Sequence, residues 1–277
     1  MQLGLSSFAF GWAVGAPASA TSRFTGDSLL QFAVEHRVPT IQFGDNLPLH
    51  ALDESSLDAF AARARNHGIA VETGARGLTS EHLQKYIGIS RRLDSRLLRF
   101  VIDAKGHEPG VDDVVAIVRE ALPALRAANV KLGLENHDRF PSAMLRGLVD
   151  RLASEHVGVC LDTANSLGAG EGIREVLHRL APVCVNLHVK DFAIERLPYL
   201  MGFTVTGRPL GGGMLPLDET LTAVAAGGRC ATAVAELWTP PEPDPAATIA
   251  KEAAWAAHSI HVLRAALDRL SLQPPPL

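Results

Sequence analysis

Eight short, apolar and β-prone runs recur along the chain, mostly at the spacing of about thirty residues that a strand–helix–strand unit occupies. They begin near Gln2, Pro39, Ile69, Leu97, Val130, Val157, Val183 and Ala231. Buried parallel strands have this nearly continuous apolar character because helices cover both faces of a parallel sheet. The repetition therefore predicts a parallel α/β fold built from eight strands.

Amphipathic helical patterns separate these runs. The clearest pattern spans Val111 to Ala128, where Val114, Val118 and Leu122 lie on one stripe. The other predicted helices are Gly26 to Arg37, Asp53 to Asn66, Thr79 to Leu93, Ser142 to Ser154, Gly172 to Leu180, Leu217 to Ala226 and Ala246 to Leu270. An open doubly wound sheet would also alternate strands and helices, but eight units exceed its usual size and no glycine-rich phosphate loop follows the first strand. We therefore predict a single (β/α)8 TIM barrel over residues 1–277.

Composition argues against nucleic-acid and membrane partners. The 277 residues include 26 basic and 30 acidic side chains, and the basic ones form no dense run. No stretch has the roughly 18 uninterrupted apolar residues of a membrane span. The segment Leu3 to Ala20 has no basic residue before Arg23, so we expect a first strand and a loop there rather than a signal peptide. Cys160, Cys184 and Cys230 lie in predicted buried strands, which suggests a reducing, cytoplasmic location.

Four of the strand runs end in a side chain that can bind a metal ion: Glu135, Asp162, His188 and Glu236. The carboxyl ends of the strands in a closed barrel converge at the mouth where substrates bind. Any one of these side chains could be a cap or an ion-pair partner, but three clustered carboxylates would repel one another without a cation. Three oxygen donors and one imidazole suit Mn²⁺, Mg²⁺ or Co²⁺, with Zn²⁺ as a further alternative. We predict one divalent ion bound by all four side chains.

Further polar residues lie close to these four in the sequence. His137 and Lys190 each come two residues after a predicted ligand, so they face the same side if the strand continues. Asn165 begins a loop after another of the four strands. We predict that His137, Asn165 and Lys190 contact the substrate and that Lys190 also stabilises negative charge. A capping role for His137 and a solvated Lys190 are the alternatives.

One connection is longer than the others. Between His188 and Ala231 the chain carries residues 192–214, which are rich in glycine, proline and aromatic side chains. Long loops at the mouth of a barrel commonly have a function, and glycines permit hinge motion. We predict that residues 192–214 form a lid, with an irregular surface excursion as the alternative. The proline-rich tail at 271–277 is expected to be frayed.

Four motifs resemble those of a known family. They are Leu134-Glu135-Asn136-His137-Asp138, Leu161-Asp162-Thr163-Ala164-Asn165-Ser166, His188-Val189-Lys190-Asp191 and Gly207-Arg208-Pro209-Leu210-Gly211-Gly212-Gly213. With these motifs the chain resembles the xylose-isomerase-like TIM barrels, the sugar-phosphate isomerase/epimerase superfamily, over nearly its whole length. The segments Met201-Gly202-Phe203 and Glu236-Leu237-Trp238 resemble a subgroup that includes 3-oxo-isoapionate decarboxylase.

The resemblance implies roles for the motif residues. It implies one Mn²⁺-type ion at the four predicted ligands, with Glu135 and Glu236 also acting as acid and base. It implies substrate contacts at Arg208 and Trp238 as well. Many family members have histidine where this chain has Asn165. A neutral amide cannot transfer protons, so Asn165 is expected to bind substrate hydroxyls.

These expectations favour an enzyme that acts on a small carbohydrate or sugar-acid substrate. The leading hypothesis is a divalent-metal-dependent sugar isomerase or epimerase, which converts a keto-sugar through a metal-stabilised enediolate. The alternative is a lyase in the same barrel, either a decarboxylase of a 3-oxo sugar acid or a dehydratase of a keto-sugar or inosose. An endonuclease IV-like phosphodiesterase would need a histidine-rich metal cluster and a basic groove, and a non-catalytic sugar-binding barrel would not need two potential bases. Homo-oligomerisation stays open.

Overall fold

Eight parallel strands form a closed barrel in the structure, a computed structural model that describes residues 1–15, 24–199 and 201–272. The barrel strands are β1 (Gln2–Ser6), β2 (Thr40–Gln42), β3 (Ala70–Arg76), β4 (Leu97–Val101), β5 (Lys131–Glu135), β6 (Val157–Asp162), β7 (Cys184–Val189) and β10 (Thr232–Ala235). Each strand pairs with its neighbours in chain order, and the barrel closes where Gly4 of β1 pairs with Val234 of β10. The (β/α)8 barrel predicted from the sequence is confirmed.

Helices follow the barrel strands and cover them on the outside. They are α1 (Gly11–Val14), α2 (Gly26–Glu35), α3 (Glu54–Asn66), α4 (Ser80–Arg92), α5 (Val111–Ala128), α6 (Ser142–Leu152), α7 (Ile173–Leu180), α8 (Leu217–Ala226) and α9 (Pro245–Leu272). The side chains of Asp53 and Thr79 begin α3 and α4 by accepting backbone hydrogen bonds at 2.7 and 3.1 Å. Asn129 ends α5 in the left-handed conformation, with a φ of 53°. Helix boundaries set in this way agree closely with the predicted ones.

The long connection after β7 contains regular structure that the sequence did not predict. Strands β8 (Asp191–Arg196) and β9 (Phe203–Arg208) pair antiparallel, with Ile194 opposite Val205. This hairpin occupies most of the predicted lid at 192–214, of which Leu200 lies outside the described residues. A lid function for the segment stays a prediction.

Three smaller predictions differ from the structure or fall partly outside its described residues. Of the tail predicted to be frayed, Ser271 and Leu272 belong to α9, and residues 273–277 lie outside the described part of the chain. After the first strand a loop was expected, but Ser7–Phe10 form a 3-10 helix and Gly11–Val14 form α1, while residues 16–23 lie outside the described part. Cys230 was expected inside a buried strand, but it precedes β10 and is only half-buried. Within the described ranges, no helix combines the length and apolar character that crossing a membrane requires.

Candidate active site

The side chains of Glu135, Asp162, His188 and Glu236 meet in the barrel mouth, at or directly after the carboxyl ends of β5, β6, β7 and β10. All four residues are buried, with an exposed fraction of 2 % at most. Nδ1 of His188 lies 3.9 Å from Oε2 of Glu135, 3.8 Å from Oδ2 of Asp162 and 3.3 Å from Oε1 of Glu236. The barrel therefore brings together the four side chains that the sequence predicts as ligands.

The orientation of these donors fits a divalent cation. Nε2 of His188 donates a hydrogen bond to Oε1 of Gln42 at 2.6 Å, since an amide oxygen can only accept, and Nδ1 therefore faces the carboxylates. Among the described residues, Nδ1 of His188 is buried without a hydrogen-bond partner, and Oδ2 of Asp162 and Oε2 of Glu236 have only an ion pair with Lys190. Buried polar atoms are rarely left in this state unless an ion or water binds them. An ion bound by this donor set stays a prediction.

Lys190 supplies positive charge at the edge of the cluster. Its Nζ lies 2.8 Å from Oδ2 of Asp162 and 3.0 Å from Oε2 of Glu236, as ion pairs that do not meet hydrogen-bond geometry. Burial would lower the pKa of Lys190, but the carboxylates of Asp162 and Glu236 raise it. The Lys190 side chain is 13 % exposed, so its ammonium group is a cation at the barrel mouth.

A second cation, Arg99, reaches the cluster from β4. Its Nε donates to Oε2 of Glu135, and its Nη1 donates to Oδ1 of Asp45 at 2.9 Å. Arg76 donates to the other oxygen of Asp45, also at 2.9 Å. Burial would lower the pKa of Arg99, but Glu135 raises it. The guanidinium is thus a permanent charge directly against one predicted ligand.

Hydrogen bonds from Asn165 and Ser6 hold the remaining carboxylate oxygens. Oε1 of Glu135 accepts from Nδ2 of Asn165 at 2.9 Å, and the backbone amide of Asn165 donates to Oδ1 of Asp162, also at 2.9 Å. Oε1 of Glu236 accepts from Oγ of Ser6 at 2.6 Å. Asn165, which was predicted to bind substrate, therefore positions two predicted ligands in this structure.

Electrostatics keep Glu236 ionised. Burial alone would raise the pKa of Glu236, but His188 and Lys190 hold it well below its usual range. For His188 burial would lower the pKa, whereas the carboxylates of Glu236 and Glu135 raise it. A carboxylate in this setting is suited to bind a cation.

His137 and Arg208 make their described contacts outside the cluster. Nδ1 of His137 contacts Oδ1 of Asp138, and the ring is partly exposed. Arg208 pairs across the hairpin with Glu195, where Nη2 lies 2.5 Å from Oε1. The structure does not bring either side chain to the four ligands, and contact with substrate stays a prediction for both.

Trp238 lines a cleft beside the cluster. The cleft has a volume of about 720 Å³ and aromatic walls formed by Phe8, Trp12 and Trp238. The Phe8 ring also lies near Arg99, whose guanidinium carbon is 5.5 Å from the ring centroid. The hairpin closes the cleft on one side. A Cβ at Gly207 would lie 2.0 Å from the carbonyl oxygen of Trp238, so only glycine permits this approach.

Sequence reasoning missed several residues of the site. Ser6, Gln42 and Arg99 each contact a predicted ligand, and none was proposed for the site from the sequence. A signal was present, since Arg99 is a lone charge within the apolar run of β4 and Gln42 is the polar last residue of β2. Buried strands rarely carry such residues without a partner inside the barrel.

The fold and the cluster agree with a known family. A family model described as a xylose isomerase-like TIM barrel matches residues 30–265. The chain belongs to this family. A relative at the level of sequence is 3-oxo-isoapionate decarboxylase of Pectobacterium atrosepticum, which is 33 % identical over 267 residues, 95 % of each chain.

Solved structures resemble the barrel as well. D-psicose 3-epimerase of Clostridium cellulolyticum H10, solved with D-tagatose, has a TM-score of 0.71 at 15 % identity and covers 96 % of this chain and 99 % of its own. A xylose isomerase-like barrel protein of Mycobacterium smegmatis, solved in complex with magnesium, has a TM-score of 0.67 at 16 % identity and covers 96 % and 97 %. Identities this low establish the fold alone.

Proposed function

We propose that this protein is a divalent-metal-dependent decarboxylase that acts on a 3-oxo sugar acid. The observation that carries the proposal is the contact of the buried Arg99 with Glu135, one of the two carboxylates that an epimerase would use as its acid and base. A relative with 33 % identity over 95 % of the chain bears the name of such a decarboxylase.

Epimerisation and decarboxylation place different demands on the carboxylates. An epimerase needs groups that remove a proton from carbon and return one. Here both oxygens of Glu135 are engaged, by Arg99 and by Asn165, and Glu236 is held by Ser6 and Lys190. Carboxylates held by these contacts are better suited to bind a metal ion than to exchange protons with a substrate. Decarboxylation of a 3-oxo acid needs no carbon-bound base, so it fits this arrangement.

The reaction needs a positive site for the electrons that the departing CO₂ leaves behind. The bond between the carboxyl carbon and carbon 2 breaks, and its electron pair moves towards the carbonyl oxygen at carbon 3. A proton from solvent then adds to carbon 2. When bound, the divalent ion would supply a Lewis acid for the carbonyl oxygen. Lys190, the cation nearest the opening, would bind a substrate oxygen and stabilise developing negative charge.

The proposal is tested with a panel of 3-oxo sugar acids and ketoses incubated with protein and Mn²⁺ in D₂O. The metal is chelated before NMR and mass spectrometry, and samples without protein measure spontaneous decarboxylation. We expect one CO₂ for each 3-oxo acid consumed and one deuterium at the product carbon that bore the carboxyl group in the substrate. Release of CO₂ no faster than in the protein-free samples, with every acid of the panel, would argue against the proposal.

A metal-dependent sugar isomerase or epimerase is the second candidate. The observation that favours it is the presence of two carboxylates, Glu135 and Glu236, around the same imidazole at 3.9 and 3.3 Å. The same panel distinguishes it. A sugar product with the carbon and oxygen composition of the substrate, heavier only by the deuterium taken from solvent, would support this second function.

A further inference from the structure

A buried polar network lies beneath His188, inside the barrel. Gln42 of β2, Glu72 of β3, Asn186 of β7 and Thr232 of β10 are each at most 6 % exposed. Of these four, Gln42 contacts the His188 ring, and the other three extend the network away from the predicted metal ligands. A network of this kind carries strict hydrogen-bond directions, because each buried donor needs an acceptor.

The amide of Gln42 is oriented by its partners. Its Nε2 donates to Oε2 of Glu72 and to Oδ1 of Asn186, both at 2.9 Å. Its Oε1 is thereby directed at Nε2 of His188, 2.6 Å away. Since this oxygen can only accept, the imidazole must carry a proton on Nε2. Nδ1 is then the nitrogen that faces the three carboxylates.

Glu72 is the fixed acceptor of the network. Its carboxylate receives hydrogen bonds from Thr232 at 2.7 Å, from Gln42 at 2.9 Å and from Asn186 at 3.3 Å. Thr232 itself accepts from Asn186 at 2.6 Å, so its hydroxyl proton is free to point at Glu72. Amide and hydroxyl groups can exchange donor and acceptor roles by rotation, but a carboxylate cannot. Burial raises the pKa of Glu72 above its ordinary value, and the hydrogen bonds from Thr232 and Gln42, which favour the ionised form, oppose only part of this increase.

We propose that Glu72 is a positioning residue that acts through Gln42 to direct Nδ1 of His188 at the metal site. If Gln42 were turned over, its amino group would face the ring and Nε2 would have to accept. The proton would then sit on Nδ1, where it would point at Glu236, 3.3 Å away, and block an ion. Carboxylates that orient a ligand histidine in this way commonly change metal affinity about 10–100-fold when removed. The inference rests on the proposed metal site.

The test compares Glu72→Leu with Thr73→Val. Thr73 is the next residue on β3 and bonds to Ser90, 2.6 Å away on α4, so its variant also loses a buried hydrogen bond but leaves the network intact. Mn²⁺ affinity is measured by electron paramagnetic resonance of the free ion. We expect Glu72→Leu to weaken Mn²⁺ binding about 10–100-fold and Thr73→Val to leave it within about twofold. Equal affinities for the two variants would overturn the inference.

A second arm covers the case in which Glu72→Leu fails to fold. In Glu72→Gln combined with Gln42→Glu, the carboxylate and the amide exchange places, so an acceptor faces Nε2 of His188 again. We expect the double variant to bind Mn²⁺ more tightly than Gln42→Leu, which offers no acceptor. An affinity no better than that of Gln42→Leu would argue against orientation as the cause.

Nitrogen-15 NMR of the imidazole separates this inference from the proposed function, because it requires no metal. We expect Nε2 of His188 to be protonated in the parent protein with or without Zn²⁺. In Gln42→Leu and Glu72→Leu a population with unprotonated Nε2 should appear at a pH high enough to make the imidazole neutral, since the imidazolium carries a proton on both nitrogens. A parent protein that binds no Mn²⁺ but shows this difference would contradict the metal site and retain the positioning role. An identical tautomer in parent and variants would overturn the role itself.

Discussion

Arg99 and Glu135 form a buried ion pair in the barrel mouth, although Glu135 also lies 3.9 Å from Nδ1 of His188 among the predicted ligands. The two side chains are only 3 % and 1 % exposed. The guanidinium therefore compensates part of the negative charge that a metal ion would otherwise have to neutralise. This contact lowers the repulsion among the buried carboxylates and occupies one oxygen of Glu135.

Replacing Arg99 with methionine should destabilise the metal-free protein strongly. The change leaves Glu135 buried beside Asp162 and Glu236 with less positive charge, and a broken buried pair typically costs about 3–5 kcal/mol. Saturating Mn²⁺ should recover part of this loss by supplying charge at the same place. Urea unfolding with and without Mn²⁺ is the measurement.

The control for this variant is Arg174→Met. Arg174 pairs with Glu219 on the surface, where the side chains are 76 % and 46 % exposed, and an ion pair screened by solvent in this way contributes little to stability. If the two variants lose the same free energy of unfolding without metal, the buried pair does not have the role assigned to it.

Asp45 should make the free energy of unfolding depend on pH, and the direction of its pKa shift gives the sign of this dependence. Burial would raise its pKa, but Arg99 and Arg76 lower it below the ordinary value of 3.8. A carboxyl group with a lowered pKa in the folded state stabilises the fold above its unfolded pKa, and this contribution disappears as the pH falls through the folded pKa. Asp45→Asn should therefore reduce the free energy of unfolding near neutral pH, with a difference from the parent that shrinks below pH 3.8. Urea titrations between about pH 7 and pH 3 measure it, and a difference independent of pH would contradict the assignment.

The strands and helices were predictable because their signals are local. Continuous apolar runs marked the barrel strands, and side chains such as Asp53 and Thr79 marked helix starts within four residues of their partners. The hairpin was missed for the same reason. Its strands are largely exposed and so lack a continuous apolar run, and the glycines and aromatic residues of the segment are typical of a loop. Pairing of Ile194 with Val205 depends on the chain returning on itself, which no local pattern states.

The four predicted ligands were accessible from the sequence because each lies at the end of a strand, and barrel geometry alone brings strand ends together. The residues that hydrogen-bond to these ligands could not be predicted in this way. Gln42 and His188 are 146 positions apart, and Ser6 and Glu236 are 230 apart. Only the closed barrel shows which side chains of neighbouring and opposite strands meet in its interior.

His188→Ala should abolish tight Mn²⁺ binding while leaving the barrel folded. The variant removes the only nitrogen donor among the four predicted ligands. Metal content after dialysis, measured by plasma mass spectrometry, gives the result, and circular dichroism checks the fold. His137→Ala is the matched control, because His137 makes its described contact with Asp138 and not with the ligands. Metal content that is equal in His188→Ala and the parent would contradict the ligand assignment.

Residues 192–214, apart from Leu200, should gain protection when substrate binds. Val205 and Thr206 of the hairpin line the cleft beside Trp238, and Phe203 and Met214 are 59 % and 58 % exposed. A lid that closes over the cleft would bury such side chains and exclude water. Hydrogen exchange is measured with Mg²⁺ and a 3-hydroxy sugar acid, which cannot lose CO₂. Helix α3, on the outside of the barrel, serves as the reference segment. Unchanged exchange in the hairpin at saturating ligand would argue against a lid.

Glu236→Gln distinguishes the proposed decarboxylase from the epimerase. Glutamine keeps the shape of the side chain and one carbonyl oxygen, but it cannot remove a proton from carbon. Loss of a general base costs about 10²–10⁴-fold in rate, so an epimerase should lose nearly all turnover and all exchange of the substrate's carbon-bound proton with D₂O. A decarboxylase needs no such base, and we expect CO₂ release to stay within about tenfold of the parent.

The assay is run at saturating Mn²⁺ with occupancy measured directly, because Glu236 is itself a predicted ligand. Ser6→Ala, which removes only the 2.6 Å hydrogen bond to Glu236, controls for small displacements of the carboxylate. A fully metal-loaded Glu236→Gln protein that has lost CO₂ release by more than about a hundredfold would contradict the proposal that Glu236 acts as a fixed ligand and restore its role as a base.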